Sequence, residues 1–295
     1  MISKDLITRF NMKKIIFIAD FFKETVTGGA ELHDDVVLQY FKREGAFHDQ
    51  KRCIDLTEAY VDANIDKVWF IGNFVSMPGY IKQRFVDKCE YILYEHDHKY
   101  LASRNPSLFK DFVAPKSYIC NLDFYQAAKK VVCLSKFQRS IYEKNLELQN
   151  LTNLHCSMWS DEDLDFIRTL EGVEKKNGIF AVISSNNPIK KTSSSINYCK
   201  MNNLSYELIS SQNYHDFLSQ LAQYEGLVFV PGAPESTPRI AIEAKMLNCK
   251  FISNKSLIGV AHEDYFHLNG NELIQKVRDL RDVACDHIME IVQTL

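Results

Sequence analysis

LVFVPGAPESTPRIAIEAKMLNCKFISN, residues 227–254, reads as a strand, a loop, a helix and a second strand. The apolar runs 227–231 and 250–254 are continuous rather than alternating, as in strands covered on both faces. Between them a helix is expected over 238–247: Pro238 suits the first helical position, and Thr237 or Ser236 can cap it. Arg239 and Glu243 then stand four apart on one face, in itself a surface ion pair worth a few tenths of a kcal/mol. Glu235 lies outside that pair, in the loop at the strand end. Helical spacing throughout would put Glu235 and Glu243 ~12 Å apart. A ligand about 10 Å long fits between them, because carboxylates accept sugar hydroxyls while a cation and helix amides suit a diphosphate.

The same alternation extends in both directions. Strands are expected at 15–19, 67–72, 91–95 and 130–135, then at 179–184 and 206–210. Helices are expected at 30–43, 79–88, 136–145, 190–201 and 214–224, with a last one from about Asn271 onward. The polar stretch 150–178 breaks the pattern and reads as an interdomain connection. The fold class expected is α/β, with two doubly wound Rossmann-like domains facing a central cleft. Their expected bounds are 1–156 and 157–280, with a C-terminal helix at 281–295 packing back on the first domain. Ligands of such sheets bind beyond the carboxyl ends of the strands, which directs attention to the strand-end loops.

With 295 residues the chain has room for two cores, and its net charge of −3 gives no overall attraction to nucleic acid. The eight scattered cysteines include no C-x-x-C pair and read as reduced, buried thiols, so a cytoplasmic protein is expected. NMKKIIFIADFF resembles the start of a signal peptide, but its apolar run is short and interrupted by Asp20. No run of about 20 apolar residues suggests a membrane span. MISKDLITRFNMKK mixes cations with apolar residues and leaves peripheral membrane contact open.

Three further loops carry polar chemistry. Gly28 and Gly29 precede a helix with Glu31 in its first turn, which suits either a tight turn or a phosphate on free amides. Glu95, His96, Asp97 and His98 follow a strand. An extended backbone there would put both histidines on one side, leaving ligand contact, metal binding and a solvated cluster as readings. In SSNNPIKKTSSS, Pro188 stops the extended segment and Lys190 and Lys191 stand at a helix start. Cations there oppose the macrodipole unless an anion binds or solvent screens them.

Taken together, these motifs resemble a known family. PESTPRIAIEA (234–244) resembles the Glu-x7-Glu motif of retaining glycosyltransferases of family 4, which have the GT-B fold. GGAE (28–31) is similar to that family's glycine loop, His96–Asp97 to its His-Asp, and NPIKK (187–191) to its Arg and Lys grip on the donor diphosphate. The resemblance covers residues 13 to about 255. It implies that Glu243 holds ribose hydroxyls, Glu235 a hydroxyl of the transferred sugar, Gly29 and Lys191 (or Lys190) the phosphates, and His96 the donor sugar. Gly28, Asn186, Ser236 and Thr237 complete the expected donor site, and Glu235, His96, Lys191 and Arg239 the expected catalytic set. Asn186 or Asn187 stands where the family's Arg is common, and Arg239 is expected to supply the missing charge.

The activity implied is metal-independent transfer of a sugar from a nucleotide-diphosphate sugar to a glycan or other hydroxyl acceptor, with retention of configuration and domain closure about 150–178. Two rivals are a non-catalytic nucleotide-sugar-binding protein and a GT-B-type nucleotide-sugar epimerase. The second needs acid and base carboxylates in the cleft, and only Glu235 stands out. A dehydrogenase lacks support because no G-x-G-x-x-G fingerprint is present.

Overall fold

The computed structural model describes residues 12–187, 189–211 and 213–295. Pro188 and the N-terminal stretch to residue 11 lie outside the described residues. The first sheet comprises β1 (Ile15–Ala19), β2 (Phe47–Arg52), β3 (Val68–Ile71), β4 (Glu90–Tyr94), β5 (Lys130–Cys133) and β6 (Leu151–Asn153). All pair in parallel, in the order β2-β1-β3-β4-β5-β6. The second comprises β7 (Lys176–Ile183), β8 (Ser205–Ile209), β9 (Tyr224–Val228) and β10 (Lys250–Ile252), in the parallel order β10-β9-β7-β8.

Helices cover these sheets: α1 (Gly29–Arg43), α2 (Glu58–Asp62), α3 (Gly79–Lys88), α4 (Leu122–Ala127) and α5 (Lys136–Leu146) in the first half, and α6 (Asp161–Thr169), α7 (Thr192–Met201), α8 (Tyr214–Leu221), α9 (Arg239–Met246) and α10 (Gly270–Thr294) in the second. The two-sheet, doubly wound expectation agrees with this architecture. The central strands β1 and β3 are buried at every position, which explains their unbroken apolar runs.

Two strands escaped the sequence reading. β2, FHDQKR, is a sheet edge with only partial burial, so it carries no apolar run, and β6 is three residues long. The polar stretch 150–178 is also less irregular than expected. It contains β6, the start of β7 and helix α6, whose cap is Ser160 accepting from the Asp163 N–H. Asp161, Glu162 and Asp163 fill its first turn and favour the helix dipole, while Leu164 and Ile167 face inward. All eight cysteines are free, and seven are buried.

The chain joins its halves twice. It passes between β6 and α6, and it returns through α10. That 25-residue helix buries Leu273, Ile274 and Val277 in the core of the second sheet. Further along it buries Ala284, Cys285, Ile288, Ile291 and Val292 against β1, β3 and β4. Side chains also cross the seam directly. Ser135 Oγ meets Ser236 Oγ at 2.9 Å, Glu263 accepts the Lys136 N–H at 2.7 Å, and Phe137 stacks on His262. Gly259 is required here, since a Cβ would lie 2.2 Å from the Ser236 carbonyl and 2.6 Å from Ser135 Oγ. Among the described residues no helix is long and apolar enough to cross a membrane.

Ile288→Ala should lower stability by about 2–5 kcal/mol, the cost of a large-to-small change in a packed core. Thermal and urea unfolding of the whole chain check this, with first-half probes such as Trp69 fluorescence losing more than second-half probes.

Candidate active-site cleft

Strand order reverses at β1/β3 in the first sheet and at β7/β9 in the second, and such reversals open crevices at strand ends. The loops after all four strands meet in one cleft between the sheets. It has a larger compartment of about 590 Å³ and a smaller one of about 250 Å³. Gly29, Lys190 and Arg239 line both and mark the passage between them. Helices α1 and α9 begin there, and neither has a side-chain cap. At α9 the leading amides are therefore available to an anion, whereas at α1 the Glu31 carboxylate lies over the helix start and accepts its own amide.

The smaller compartment is built around Glu243. Its Oε1 accepts from Trp159 Nε1 at 3.0 Å and from the Tyr214 hydroxyl at 2.5 Å, and lies 3.3 Å from Arg239 Nε. The expected surface ion pair is thus a buried one, because nearly every position of α9 faces protein. The Arg239 guanidinium donates to the Met158 carbonyl and the Tyr214 hydroxyl, and it stacks over the Trp159 ring at 4.4 Å. Its nitrogens therefore engage protein groups, and it borders the cleft chiefly through its stem, with Cδ beside Gly29. The Glu243 Oε2 atom takes no part in these bonds.

In the passage, Lys190 Nζ pairs with Glu235 Oε1 at 2.9 Å. Lys191 is exposed, occupies the left-handed cap position of α7 at φ 45°, and does not line either compartment. Of the two lysines, the structure brings Lys190 to the cleft. Asn186 is likewise exposed, and its neighbour Asn187 lines the larger compartment. Pro238 is the cap residue of α9 rather than its first helical residue. Neither Ser236 nor Thr237 caps that helix. Ser236 Oγ is committed to Ser135 and Gln138 across the seam, whereas the buried Thr237 hydroxyl at the cleft wall has no partner. Glu235 is fixed by its backbone: its N–H donates to the Leu257 carbonyl, and its own carbonyl accepts from Gly259.

In the larger compartment, His96 Nε2 lies 2.6 Å from Asp34 Oδ1, and its side chain is only 9% exposed. Burial pulls the imidazole pKa down, but the Asp34 carboxylate outweighs it and the pKa is raised. Behind it, His33 Nδ1 accepts from the Met158 N–H at 3.3 Å and meets Ser157 Oγ at 2.9 Å. That leaves Nε2 protonated and donating to the Tyr94 hydroxyl. Burial, with His96 and Arg239 adding, holds His33 well below the usual imidazole range, so it is neutral.

The two expected same-side histidines diverge. The chain leaves β4 and bends at 96–97, and His98 turns inward against Tyr100 and Tyr142, its pKa lowered by burial to about 4. Glu95 is fully buried, accepting from Tyr125 and Tyr142 and pairing with Lys99 at 2.9 Å. Asp97 is held by Lys99 and Arg104. This part of EHDHKY is a buried charge network that shapes the cleft floor. Among the described residues no group of three or more His, Cys, Asp or Glu is arranged to hold a metal ion.

The cleft has more carboxylates than Glu235, the one that stood out in the sequence. Asp20, Glu31 and Asp97 line the larger compartment alongside Glu235. Asp20 and Asp97 are taken up by protein partners, while burial raises the Glu31 pKa against the pull of its own backbone amide. Glu31 was legible in the GGAE loop, whereas Asp34, buried on the same helix, carried no signal. Trp159 and Tyr214, which fix Glu243, carried no sequence signal, because one sits in the connection and the other on a separate helix.

Three outcomes follow from this geometry. Arg239→Met should cost about 3–5 kcal/mol by leaving Glu243 uncompensated. Lys190→Met, at a partly exposed pair, should cost less than about 1 kcal/mol, as read from melting temperatures. The His96–Asp34 pair stabilises fully below the ordinary imidazole value of 6.5, and that contribution is lost as pH rises through the raised folded value. The melting-temperature gap between wild type and Asp34→Asn should therefore shrink as pH rises above 6.5, and a gap that widens would contradict the charged pair.

No protein-family model and no curated protein sequence matches the chain. Solved structures do. An α,α-trehalose-phosphate synthase (UDP-forming) from Burkholderia vietnamiensis superposes with a TM-score of 0.51 at 7% identity, covering 96% of this chain and 94% of that one. An α-glucosyltransferase in complex with UDP and a 13-mer DNA gives 0.50 at 8% identity over 96% and 95%. Anabaena HepE in complex with UDP and glucose gives 0.49 at 13% identity over 96% and 94%. At these identities the similarity concerns the fold, and two parallel α/β units facing one cleft make it the GT-B fold.

Proposed function

We propose that this protein is a glycosyltransferase that moves a sugar from a nucleotide-diphosphate sugar to an acceptor hydroxyl. The observation that carries the reading is the linear order of groups in the cleft. Glu243 lies at one end and Glu235 with His96 at the other. Lys190 and the starts of α1 and α9, at Gly29 and Arg239, line both compartments and so stand between them, while Thr237 lines the larger one. That order matches nucleoside, diphosphate and sugar. The α-glucosyltransferase crystallised with UDP shares the fold and is consistent with it.

In this reading Glu243 Oε2 accepts ribose hydroxyls while Oε1 is fixed by Trp159 and Tyr214. Lys190, Thr237 and the leading amides of α9 face the diphosphate, and Glu235 and His96 hold the transferred sugar. The C1–O bond to the diphosphate breaks and a C1–O bond to the acceptor oxygen forms. The diphosphate leaves with the bonding electron pair, and its departing oxygen takes up the proton that the acceptor hydroxyl gives up. Charge grows on the departing diphosphate, where preorganised cations and amides lower the barrier most. We assign this task to Lys190 and the leading amides of α9 rather than to the Arg239 side chain or a metal ion. Retention of configuration is part of the proposal and rests on the Glu235–Glu243 resemblance.

A non-catalytic nucleotide-sugar-binding role is the second reading. It is favoured by the engagement of Arg239 with Glu243, Tyr214 and Met158. One panel tests both. UDP, GDP, ADP and their sugars are titrated by thermal shift on wild type and Glu243→Gln, a variant that can still accept from Trp159 and Tyr214. One nucleotide should raise the wild-type melting temperature and have at least about ten-fold weaker affinity for the variant. Release of the free nucleotide diphosphate, with an acceptor present, separates enzyme from binder. No shift by any nucleotide overturns the donor site.

A further inference from the structure

The first-domain lip of the larger compartment is apolar and exposed, in contrast to the polar floor beneath it. Phe21 is 49% exposed, Val26 38% and Val75 55%, and all three line that compartment. They come from two separate loops, after β1 and after β3. Opposite them, Ile189 and Pro234 of the second domain continue the apolar lining.

This lip is braced by the backbone. Asp20, only 7% exposed, accepts the Val75 N–H at 2.8 Å and the Ser76 N–H at 2.9 Å, and the Ser76 hydroxyl donates to it as well. One buried carboxylate thus ties the loop bearing Val75 to the residue preceding Phe21. On the other side of Phe21, Phe22 packs its ring against Phe17, and its carbonyl accepts the Val26 N–H. Exposed apolar side chains are costly to leave in water, and several that line one cleft mark a binding surface.

We infer that the acceptor of this transferase carries an apolar arm next to its reactive hydroxyl, and that Phe21, Val26 and Val75 seat that arm at the cleft mouth. The inference deepens the transferase reading and rests on it. Only one of the three side chains is aromatic. Val26 and Val75 offer no ring face for a sugar and can bury only an aliphatic group, and Phe21 can pack against the same group. The lip composition therefore points to an aliphatic arm.

The test compares n-octyl β-D-glucopyranoside, below its micellar concentration, with methyl β-D-glucopyranoside, which has the same head. Binding to the full chain is measured by calorimetry with and without the nucleotide that the donor panel selects. Wild type should bind the octyl glycoside at least about ten-fold more tightly. Phe21→Ser/Val75→Ser should abolish the difference while nucleotide affinity stays unchanged, and Phe21→Leu should preserve it. Equal binding of the two glycosides, or none, overturns the inference. A preference lost in Phe21→Leu also overturns it, because an alkyl arm packs on leucine as well as on phenylalanine. Nucleotide affinity is read separately. A failed donor panel with an intact octyl preference sinks the transferase reading alone, and the reverse result sinks the arm alone.

Discussion

The cleft exists because α10 is shared between two cores. A parallel sheet must be covered on both faces, and the first sheet obtains part of its cover from a helix that begins on the second. Leu273, Ile274 and Val277 belong to one core and Ala284, Cys285 and Ile288 to the other, along a single rigid rod. The strand ends of the two sheets are thereby held facing one another. Seam contacts at Ser135, Ser236 and Glu263 then fix the separation. Gly259 belongs to the same constraint, since its close approach to Ser135 allows the second-domain loop that carries Glu235 to reach the seam.

Within that frame one buried cation does two jobs. Arg239 compensates Glu243 in a place where an unpaired carboxylate would be expensive, and its stem forms the narrow point between the compartments. Stability and site geometry are therefore coupled at this residue. The cleft floor shows the same coupling. Glu95, Lys99 and Asp97 satisfy one another under the larger compartment, and Tyr125, Tyr142 and Gln138 absorb the remaining donors and acceptors. Such a network is rigid because each member left alone would be a buried, uncompensated group.

Polarity inside the cleft follows from how each carboxylate is occupied. Asp20 and Asp97 line it yet are already bonded, Asp34 is turned toward His96, and Glu235 is paired with Lys190. Counting acidic residues in the sequence therefore says little about which of them meet a ligand. Partner geometry decides it: the buried Thr237 hydroxyl is left without a partner, and the start of α9 is left without a side-chain cap.

The sequence by itself determined the architecture. Continuous apolar strands such as 15–19 and 68–71, separated by helices with glycine or proline at their starts, admit few arrangements besides covered parallel sheets. β2 escaped because an edge strand has little to bury, and α6 because its acidic first turn resembles a linker. The sequence also marked the loops after β1, β4, β7 and β9 as the places to search, since strand ends in parallel sheets open toward one side. Only the tertiary structure decided which side chains in those loops meet. Lys190 rather than Lys191, Asn187 rather than Asn186, and Asp34 behind His96 depend on loop direction and on contacts between distant segments. Local spacing does not encode these. The charge of Arg239 was legible, but its destination was not, because Trp159 and Tyr214 come from elements far away in the chain and reach it only through the packing of α6 and α8 against α9.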